Sequence, residues 1–313
     1  MTFGRSRVSA LRPLRVGVQL PEVEYEPRWT ELRTMARLAE EIGLDSLWVG
    51  DHHLYRTETG TRGPWDAWTQ LAAIAAVTER IDIGPLVAAT VFHRPGILAR
   101  MATMIDEISG GRFILGLGAG WNEAELRALD LPVDHLVSRF EEAFTIVRTL
   151  LAEGRIDFAG RFYTMRDCEL LPRGPRPGGP PLMVGSIGPR MLRITMPHVA
   201  AWNAWTGYYG NTPDGIPAMR ALVDDACREV GRDPATVVRT VAVFLRWEGG
   251  GDTSRDVDRH QVRPLTGSPE AIAETLRAYA REGIAEVQLV MDPITPAGIE
   301  RLVPVLALLD RPA

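Results

Sequence analysis

The sequence predicts one α/β domain folded as a (β/α)8 barrel, the TIM-barrel architecture, with insertions. Short apolar runs alternate eight times with segments whose apolar residues recur at helical spacing. Most of these runs are apolar without interruption, as in parallel strands that are covered on both faces. The 313 residues accommodate the eight units of such a barrel, which need about 250, and no linker divides them. An open, doubly wound sheet is the alternative that this pattern leaves open.

The expected strands and helices follow one another in strict alternation. The helical pattern of 27–43 ends in glycine, and those of 64–78 and 95–109 begin with proline, which are typical helix boundaries. Pro304 lies inside the last expected helix and should kink it. We predict strands at 15–20, 45–50, 81–90, 112–118, 182–185, 200–205, 236–247 and 285–291, helices at 27–43, 64–78, 95–109, 136–154, 189–197, 213–231, 268–283 and 296–309, and insertions at 153–181, which begins with a hairpin, and 248–267.

Composition narrows the function classes. The formal net charge is −5, from 35 basic and 40 acidic residues, so a nucleic-acid partner is not expected. The two cysteines, Cys168 and Cys227, are far apart and form no CxxC pair, which is typical of a reducing cytoplasm. No segment has the pattern of a signal peptide or a membrane span. Residues 1–13 are expected to form a flexible tail, followed by the barrel domain over 14–313.

All the basic residues are arginine, and lysine is absent. This absence excludes Schiff-base chemistry, a lysine general base and the lysine of a phosphate-binding P-loop. The sequence also contains no HExxH or CxxC motif, so no metal site is predicted.

Catalytic groups of a (β/α)8 barrel lie at the carboxyl ends of its strands. The second predicted strand ends in Asp51, His52 and His53. Adjacent histidines on an extended backbone point in opposite directions and do not readily share one metal. A histidine beside an acid at this position is therefore interpreted as a proton donor or acceptor.

Two glycine-containing segments follow other predicted strands. In "GRFILGLGAGWNEAEL" (111–126), alternate glycines leave one side of the strand bare, against which a planar ring could lie. This segment is not a dinucleotide fingerprint, because Trp121 stands where the third glycine is needed. The segment "VGSIGPRML" (184–192) is typical of either a phosphate-binding helix start or an ordinary tight turn.

Three tryptophans lie in or just after strands that end at the same predicted face of the barrel. Trp121 follows the fourth strand, and Trp202 and Trp205 lie in the sixth. Core packing is the common role of tryptophan. Together they indicate a substrate pocket for a flat, mostly apolar ligand.

The segment "ISGGRFILGLGAGWNEAEL" resembles the signature of the luciferase-like flavin-dependent oxidoreductases, most closely the branch that uses the deazaflavin coenzyme F-420. The segments "GLDSLWVGDHH", "TERIDIGPLVAATVFHRPGILARMATMIDEISGGR", "PPLMVGSIGPRMLR" and "AAWNAW" occur in the order and spacing of that family. The resemblance implies a (β/α)8 barrel with the flavin or deazaflavin at the carboxyl-terminal mouth.

The resemblance also implies roles for particular residues. His52 would exchange the proton beside the ring, and Thr90 and its neighbours would support the ring where relatives have a non-proline cis peptide. Some dehydrogenases of this branch have glutamate at the position of Trp121, which argues against a sugar-phosphate dehydrogenase. The strand-six pattern "ADGWN" of relatives is replaced here by "VAAWN". The implied cofactor-binding residues are Asp51, Thr90, Ala119, Gly120, Gly185, Ser186, Gly188, Pro189 and Arg190.

The leading hypothesis is hydride transfer between the deazaflavin F-420 and a small apolar or aromatic substrate. The alternative with the same fold is a monooxygenase that uses dioxygen and reduced FMN. A separate flavin reductase would supply the reduced FMN. A third alternative, from another class, is a flavin-binding subunit without catalysis. Apolar stripes on the early helices, together with the pairing of relatives, favour a homodimer.

Overall fold

Parallel strands pair side by side around the molecule. The computed structural model describes residues 3–4, 12–57, 60–248 and 262–311. The strands are β1 (Arg15–Gln19), β2 (Ser46–Val49), β3 (Tyr55–Thr57), β4 (Gly60–Arg62), β5 (Asp82–Pro85), β6 (Ala88–Ala89), β7 (Leu115–Gly118), β8 (Arg155–Ala159), β9 (Thr164–Glu169), β10 (Leu182–Gly185), β11 (Ala201–Trp205), β12 (Val238–Arg246) and β13 (Glu286–Asp292). Nine of them form one sheet in the order β5-β2-β1-β13-β12-β11-β10-β7-β6.

This sheet closes into the predicted (β/α)8 barrel. Strands β5 and β6 are two halves of the third barrel strand, interrupted at the cis peptide bond between Leu86 and Val87. The first half reaches the segment before β7 through a bridge between Ile83 and Phe113, and the second half pairs with β7 directly. The first and last strands of the sheet order are therefore one strand, and eight strands surround the core. The expectation of one continuous strand over 81–90 was wrong at this interruption.

Helices cover the outside of the barrel in the predicted alternation. Their bounds are α1 (Trp29–Glu41), α2 (Ala67–Val77), α3 (Pro95–Ile108), α4 (Glu123–Ala128), α5 (Leu136–Glu153), α6 (Pro189–Thr195), α7 (Ile216–Glu229), α8 (Pro269–Arg281), α9 (Pro296–Glu300) and α10 (Val303–Leu309). The short helix α4 is additional. The last predicted helix is divided into α9 and α10, with Pro304 in the first turn of α10, as the missing N–H of proline requires.

The two insertions differ in how much of them is described. The first contains the predicted hairpin, formed by β8 and β9. Glu142 of α5 accepts hydrogen bonds from the backbone N–H groups of Arg161, Phe162 and Tyr163, which fastens the hairpin turn to that helix. In the second insertion, residues 249–261 lie outside the described residues.

Most of the predicted amino-terminal tail also lies outside the described residues, but Arg12 belongs to the barrel. Its side chain is 1% exposed and forms ion pairs with Asp45 and Asp310 at 3.0 and 2.9 Å. The domain therefore begins at or before this residue.

A buried polar network runs inside the barrel among otherwise apolar strands. At the amino-terminal ends of the strands, Arg15 forms ion pairs with Asp82 and Glu286 at 2.6 and 2.7 Å. Glu286 also accepts a hydrogen bond from Gln288, which in turn accepts one from Asn203 near the opposite end. Each buried charge is thus paired, as stability requires, and the network connects the base of the barrel to its mouth.

Arg112 binds three neighbouring segments at the base of the barrel. Its 2% exposed guanidinium donates to the backbone carbonyl groups of Ala75, Thr78, Ile81 and Ser109 at 2.8–2.9 Å. These residues lie at the end of α2, before β5 and at the end of α3. One side chain therefore satisfies four backbone carbonyl groups.

We predict that Arg112→Leu lowers the free energy of unfolding by about 3 kcal/mol or more, because several buried acceptors lose their donor and each costs about 1–3 kcal/mol. Urea denaturation measures this change. Arg193→Leu is the matched control, since Arg193 is exposed and forms one surface ion pair with Glu229, whose loss costs about 1 kcal/mol or less. Equal effects of the two substitutions would contradict this role of Arg112.

Candidate active site

A pocket of about 530 Å³ opens at the carboxyl ends of the barrel strands. This volume lies in the range of about 300–1,000 Å³ that is typical of small-molecule and cofactor sites. Among the described residues that line it, the ionisable side chains are those of His52 and Tyr208. The lining residues are His52, Leu86, Val87, Ala89, Gly118, Ala119, Gly120, Trp121, Val137, Gly185, Ser186, Ile187, Gly188, Met191, Asn203, Ala204, Trp205 and Tyr208.

Val87 occupies the space that the alternate glycines leave. A Cβ atom at Gly118 or Gly185 would lie 2.9 Å from a methyl carbon of Val87, and one at Gly116 would overlap the carbonyl oxygen of Pro85. The expectation that a ring lies directly against bare backbone at Gly116 was therefore wrong. These glycines allow the interrupted third strand to pack closely, and Leu86 and Val87 become part of the pocket lining.

Ala119 and Gly120, for which the resemblance implies cofactor contacts, line the pocket. Gly120 has a φ angle of +87°, and a Cβ atom there would lie 2.8 Å from Val91. Glycine is needed at this turn, because an L-residue would be strained by its backbone conformation and crowded by Val91. The turn directs the following residue, Trp121, over the pocket.

His52 forms a close pair with Glu125 of α4. The Nδ1 atom of His52 lies 2.8 Å from Oε2 of Glu125. The His52 side chain is 15% exposed and the Glu125 side chain 0%. Tyr55 and Trp121 contact the imidazole with ring centroids 4.7 and 5.6 Å away. The other ring nitrogen, Nε2, is left for the pocket.

The electrostatics of this pair favour its charged form. Burial by itself lowers the pKa of His52, but the hydrogen bond to Glu125 and the negative charges of Glu22, Glu125 and Asp51 outweigh it and raise that pKa above its ordinary value. Burial raises the pKa of Glu125, but the hydrogen bonds and charge of its neighbours lower it below its ordinary value. Between these two pKa values the pair is an imidazolium and a carboxylate.

Glu125 is a site residue that the sequence reasoning missed. Its Oε1 atom accepts hydrogen bonds from the backbone N–H groups of His53 and Leu54. The signal that identifies it is Asn122, three residues earlier, whose side chain caps α4 by accepting from the N–H of Glu125. Asn122 and Glu125 have the spacing of a capping box, and the Glu125 carboxylate binds the backbone N–H groups of His53 and Leu54.

Asn203 brings a polar group to the apolar lining. Its amide nitrogen donates to Oγ1 of Thr240 and Oε1 of Gln288, both at 2.9 Å. Because Gln288 uses its own amide nitrogen to donate to Glu286, the orientation of the Asn203 amide is determined by the interior network. Its carbonyl oxygen is the group that remains for the pocket.

Asp51 and Thr90 lie behind the pocket lining. Oδ2 of Asp51 accepts from the N–H of Ala89 at 3.0 Å and lies 2.9 Å from Nε2 of His93. Oδ1 of Asp51 is buried without a hydrogen-bond partner in the described structure. Thr90 is 2% exposed and begins a 3₁₀ turn that ends at Phe92. Ala89 and Val87, rather than Thr90, form this part of the lining.

The segment after β10, for which a phosphate site and an ordinary tight turn were both open, lies partly in the pocket lining. Gly185, Ser186 and Gly188 line the pocket, and the N–H of Gly188 donates to Oγ of Ser186 at 3.1 Å. Pro189 begins α6 and is exposed. Arg190 is half exposed and forms a 2.7 Å ion pair with Glu141 of α5, outside the lining.

The three tryptophans have two different roles. Trp121 and Trp205 line the pocket, and Trp121 is 58% exposed. Trp202 is buried, and its indole N–H donates to the carbonyl oxygen of Ser186 at 2.6 Å, so it supports the loop from below. Tyr208, which the sequence reasoning missed, also lines the pocket and is exposed.

The described residues form neither a cluster of metal ligands nor a helix that could span a membrane. No group of three or more histidine, cysteine, aspartate or glutamate side chains has the arrangement of a metal site within the described ranges. Within the same ranges, no helix combines the length and the apolar character needed to cross a bilayer.

Comparison with known proteins gives consistent matches. The family model described as "Luciferase-like monooxygenase" matches residues 11–248. An F420-dependent glucose-6-phosphate dehydrogenase of Amycolatopsis mediterranei (strain U-32) is 32% identical over 282 residues, covering 87% of this chain and 81% of the relative. Pyrimidine monooxygenase RutA of Cronobacter sakazakii (strain ATCC BAA-894) is 36% identical over 183 residues, covering 56% of this chain and 53% of the relative.

Solved structures show the same fold at lower identity. An F420-dependent secondary alcohol dehydrogenase in complex with an F420-acetone adduct has a TM-score of 0.80 at 18% identity and covers 95% of this chain and 99% of its own. A riboflavin lyase, RcaE, with modified FMN and riboflavin has a TM-score of 0.78 at 16% identity, covering 95% of this chain and 91% of its own. The family match over most of the chain, and the enzymes among its relatives, show that this protein belongs to the luciferase-like monooxygenase family and is an oxidoreductase or monooxygenase.

Proposed function

We propose that the protein transfers a hydride between a deazaflavin and a small uncharged organic substrate, with His52 exchanging the accompanying proton. The single observation that supports this most strongly is the His52–Glu125 pair at the wall of an apolar pocket. The pocket lies at the carboxyl ends of the strands, where barrel enzymes have their catalytic groups. Relatives named for F420-dependent activity support the choice of cofactor.

The lining has features that fit a flat ring with a phosphorylated side chain. Leu86, Val87 and Ala89 provide an apolar surface, and Ala119 and Gly120 leave the backbone accessible beside it. The segment from Gly185 to Gly188 enters α6, and its small residues allow close approach of a phosphate group. Arg190 is not part of this proposal, since its ion pair with Glu141 lies outside the lining. When bound, the deazaflavin would supply the hydride acceptor or donor.

The lining also supports an uncharged substrate. None of the described lining residues is an arginine, so a sugar phosphate would bring a second phosphate group, beyond that of the cofactor, with no arginine in the lining to pair with it. Burying such a charge unpaired is costly. Trp121, Trp205 and Tyr208 instead offer aromatic surface near the opening. We therefore propose a neutral, apolar or aromatic substrate, unlike the sugar phosphate named for the dehydrogenase of Amycolatopsis mediterranei.

His52 would handle the proton in either direction. When an alcohol is oxidised, the hydride leaves its carbon, and Nε2 of His52 takes the hydroxyl proton as the carbonyl group forms. When a carbonyl group is reduced, the imidazolium returns that proton to its oxygen. Glu125 stabilises the imidazolium in both cases, and the apolar surroundings strengthen this interaction.

We predict that His52→Ala lowers turnover by about 10²–10⁴-fold, the usual contribution of general acid–base catalysis, while the deazaflavin still binds. Turnover is followed by deazaflavin absorbance with a panel of neutral secondary alcohols that includes 2-propanol. The rate of alcohol oxidation should rise as the pH passes upward through the pKa of His52, which lies above its ordinary value because Glu125, Glu22 and Asp51 stabilise the charged form. The rate of carbonyl reduction should fall through the same pH range.

His198→Ala is the control for this substitution, because His198 is exposed and does not line the pocket. It should leave turnover unchanged. Full activity of His52→Ala with bound cofactor would show that another group exchanges the proton.

The second candidate function is a monooxygenase that uses dioxygen together with reduced FMN, which a separate flavin reductase would supply. The relative RutA, named a pyrimidine monooxygenase, favours it, and the apolar lining of Leu86 and Val87 suits either ring. In this reaction one oxygen atom enters the substrate and the other leaves as water, with the electrons supplied by the reduced flavin.

Titration of the full-length protein with deazaflavin, FMN and riboflavin distinguishes the two candidates. We expect deazaflavin to bind more tightly than FMN, and FMN more tightly than riboflavin, because riboflavin lacks the phosphate that the Gly185–Gly188 segment would hold. Fluorescence quenching and absorbance changes measure each Kd. Tight FMN binding without deazaflavin binding would favour the monooxygenase, and equal binding of FMN and riboflavin would contradict the phosphate position.

We also propose a homodimer formed through α3. Ile97, Met101 and Met104 share one face of this helix, and Ile97 and Met104 are 55% and 57% exposed. Arg100 of the same helix donates to the carbonyl oxygen of Leu171, which is 59% exposed and extends the apolar surface. Adjacent exposed apolar side chains of this kind often mark an interface.

The double substitution Ile97→Glu and Met104→Glu should convert the dimer to a monomer, because four glutamates would face one another across the symmetric contact. Size-exclusion chromatography with light scattering measures the mass. Val303→Glu, which adds one charge at an exposed apolar position of α10, should leave the mass unchanged. A monomeric parent protein would contradict this proposal.

A further inference from the structure

We propose that Glu125 is a positioning residue that determines the tautomer of His52, so that Nδ1 carries a hydrogen towards α4 and Nε2 faces the pocket. This inference deepens the proposed function and rests on it for its catalytic meaning. Its structural part, the position of the hydrogen, can be measured independently of any reaction. Glu125 itself does not line the pocket, so it would act through His52.

The first support is the orientation of the Glu125 carboxylate. Oε1 accepts from the backbone N–H groups of both His53 and Leu54. Backbone N–H groups cannot reverse their role, so this oxygen must remain an acceptor. Oε2 is left for Nδ1 of His52 at 2.8 Å. An ionised carboxylate accepts hydrogen bonds and donates none, so the shared hydrogen belongs to Nδ1.

The second support is burial combined with a fixed chain position. The Glu125 side chain is fully buried, and the Asn122 cap holds the first turn of α4. Nδ2 of Asn122 also donates to the carbonyl oxygen of Leu54 at 3.3 Å. Together with the bonds from the N–H groups of His53 and Leu54 to Glu125, three hydrogen bonds therefore join the start of α4 to the segment that follows His52, and they limit the imidazole to one side of the carboxylate.

Other charged or titratable groups near His52 do not replace Glu125. Glu22, from the segment after β1, and Asp51, the preceding residue, contribute negative charge that favours the imidazolium. Tyr55 of β3 contacts the face of the ring, and its hydroxyl group donates to Glu22 at 3.3 Å. Glu125 is the group within hydrogen-bond distance of a His52 ring nitrogen in the described contacts.

The substitution Glu125→Gln tests this assignment because its outcome is forced by geometry. The amide oxygen must face the N–H groups of His53 and Leu54, so the amide nitrogen faces Nδ1 of His52. That nitrogen can only donate. Nδ1 then becomes an acceptor, the neutral ring carries its hydrogen on Nε2, and it can no longer accept a proton from the pocket.

Nitrogen NMR of the histidine side chains reads the tautomer directly. The full-length protein contains six histidines, and His52→Gln identifies the signal of His52 by its loss. We expect the neutral wild-type ring to carry hydrogen on Nδ1, with and without FMN present, and the Glu125→Gln ring to carry it on Nε2. The titration of His52 should also move to lower pH in Glu125→Gln. A wild-type ring with hydrogen on Nε2 would overturn the inference, and this measurement needs no variant at position 125 to fold.

Glu123→Gln is the matched control. It removes the same charge from the same helix, but Glu123 is exposed and pairs with Arg127 at the surface. It should change neither the tautomer nor the titration of His52. The thermal melting temperature and FMN affinity of both variants show whether the fold and pocket are retained.

Kinetics link the tautomer to the reaction. Glu125→Gln should lower kcat for 2-propanol oxidation by about 10²-fold or more, with little change in KM, because no pocket contact is removed. An unchanged kcat and pH profile in an active enzyme would overturn the positioning role. If the wild-type protein shows no turnover with any deazaflavin or FMN, the proposed function fails, while the NMR result still decides the role of Glu125 in orienting His52.

Discussion

The pocket depends on the close approach of Val87 to the glycines of two neighbouring strands. At Gly118 and Gly185, even a methyl group would lie 2.9 Å from Val87, which is closer than side-chain packing allows. Without side chains there, the interrupted third strand pairs with β7, the Val87 side chain reaches Gly185 of β10, and Leu86 and Val87 form an apolar part of the lining. Bulkier residues at Gly118 and Gly185 would separate these strands, so the shape of the cavity depends on the absence of side chains at these two positions.

The end of β2 holds both sides of this pocket through two carboxylate–histidine pairs. Asp51 points behind the lining, where it binds the N–H of Ala89 and pairs with His93. The next residue, His52, points to the pocket and pairs with Glu125. Successive residues of an extended chain face opposite sides. One short segment therefore stabilises the third barrel strand and presents a polarised imidazole to the cavity.

The surroundings of His52 explain how a charged imidazole can act in a largely apolar cavity. Low polarity penalises a charged ring, but the fully buried Glu125 offsets that penalty with a hydrogen bond and a nearby negative charge. Asn203 is held in a comparable way by Thr240 and Gln288. Both polar groups are oriented by partners outside the cavity, so neither needs a ligand to keep its position.

The sequence by itself determined the order of strands and helices, the barrel architecture and the position of His52, because apolar periodicity, turn residues and strand ends are local properties. It also indicated the pocket positions of Trp121, Trp205, Gly120 and Ser186, since each lies at or just after the end of a strand at the barrel mouth. The tertiary structure decided the contacts between residues that are far apart in the chain. It buried Trp202 under Ser186, paired Arg190 with Glu141, placed Val87 against the glycines and brought Glu125 to His52, because none of these contacts is encoded by spacing along the chain.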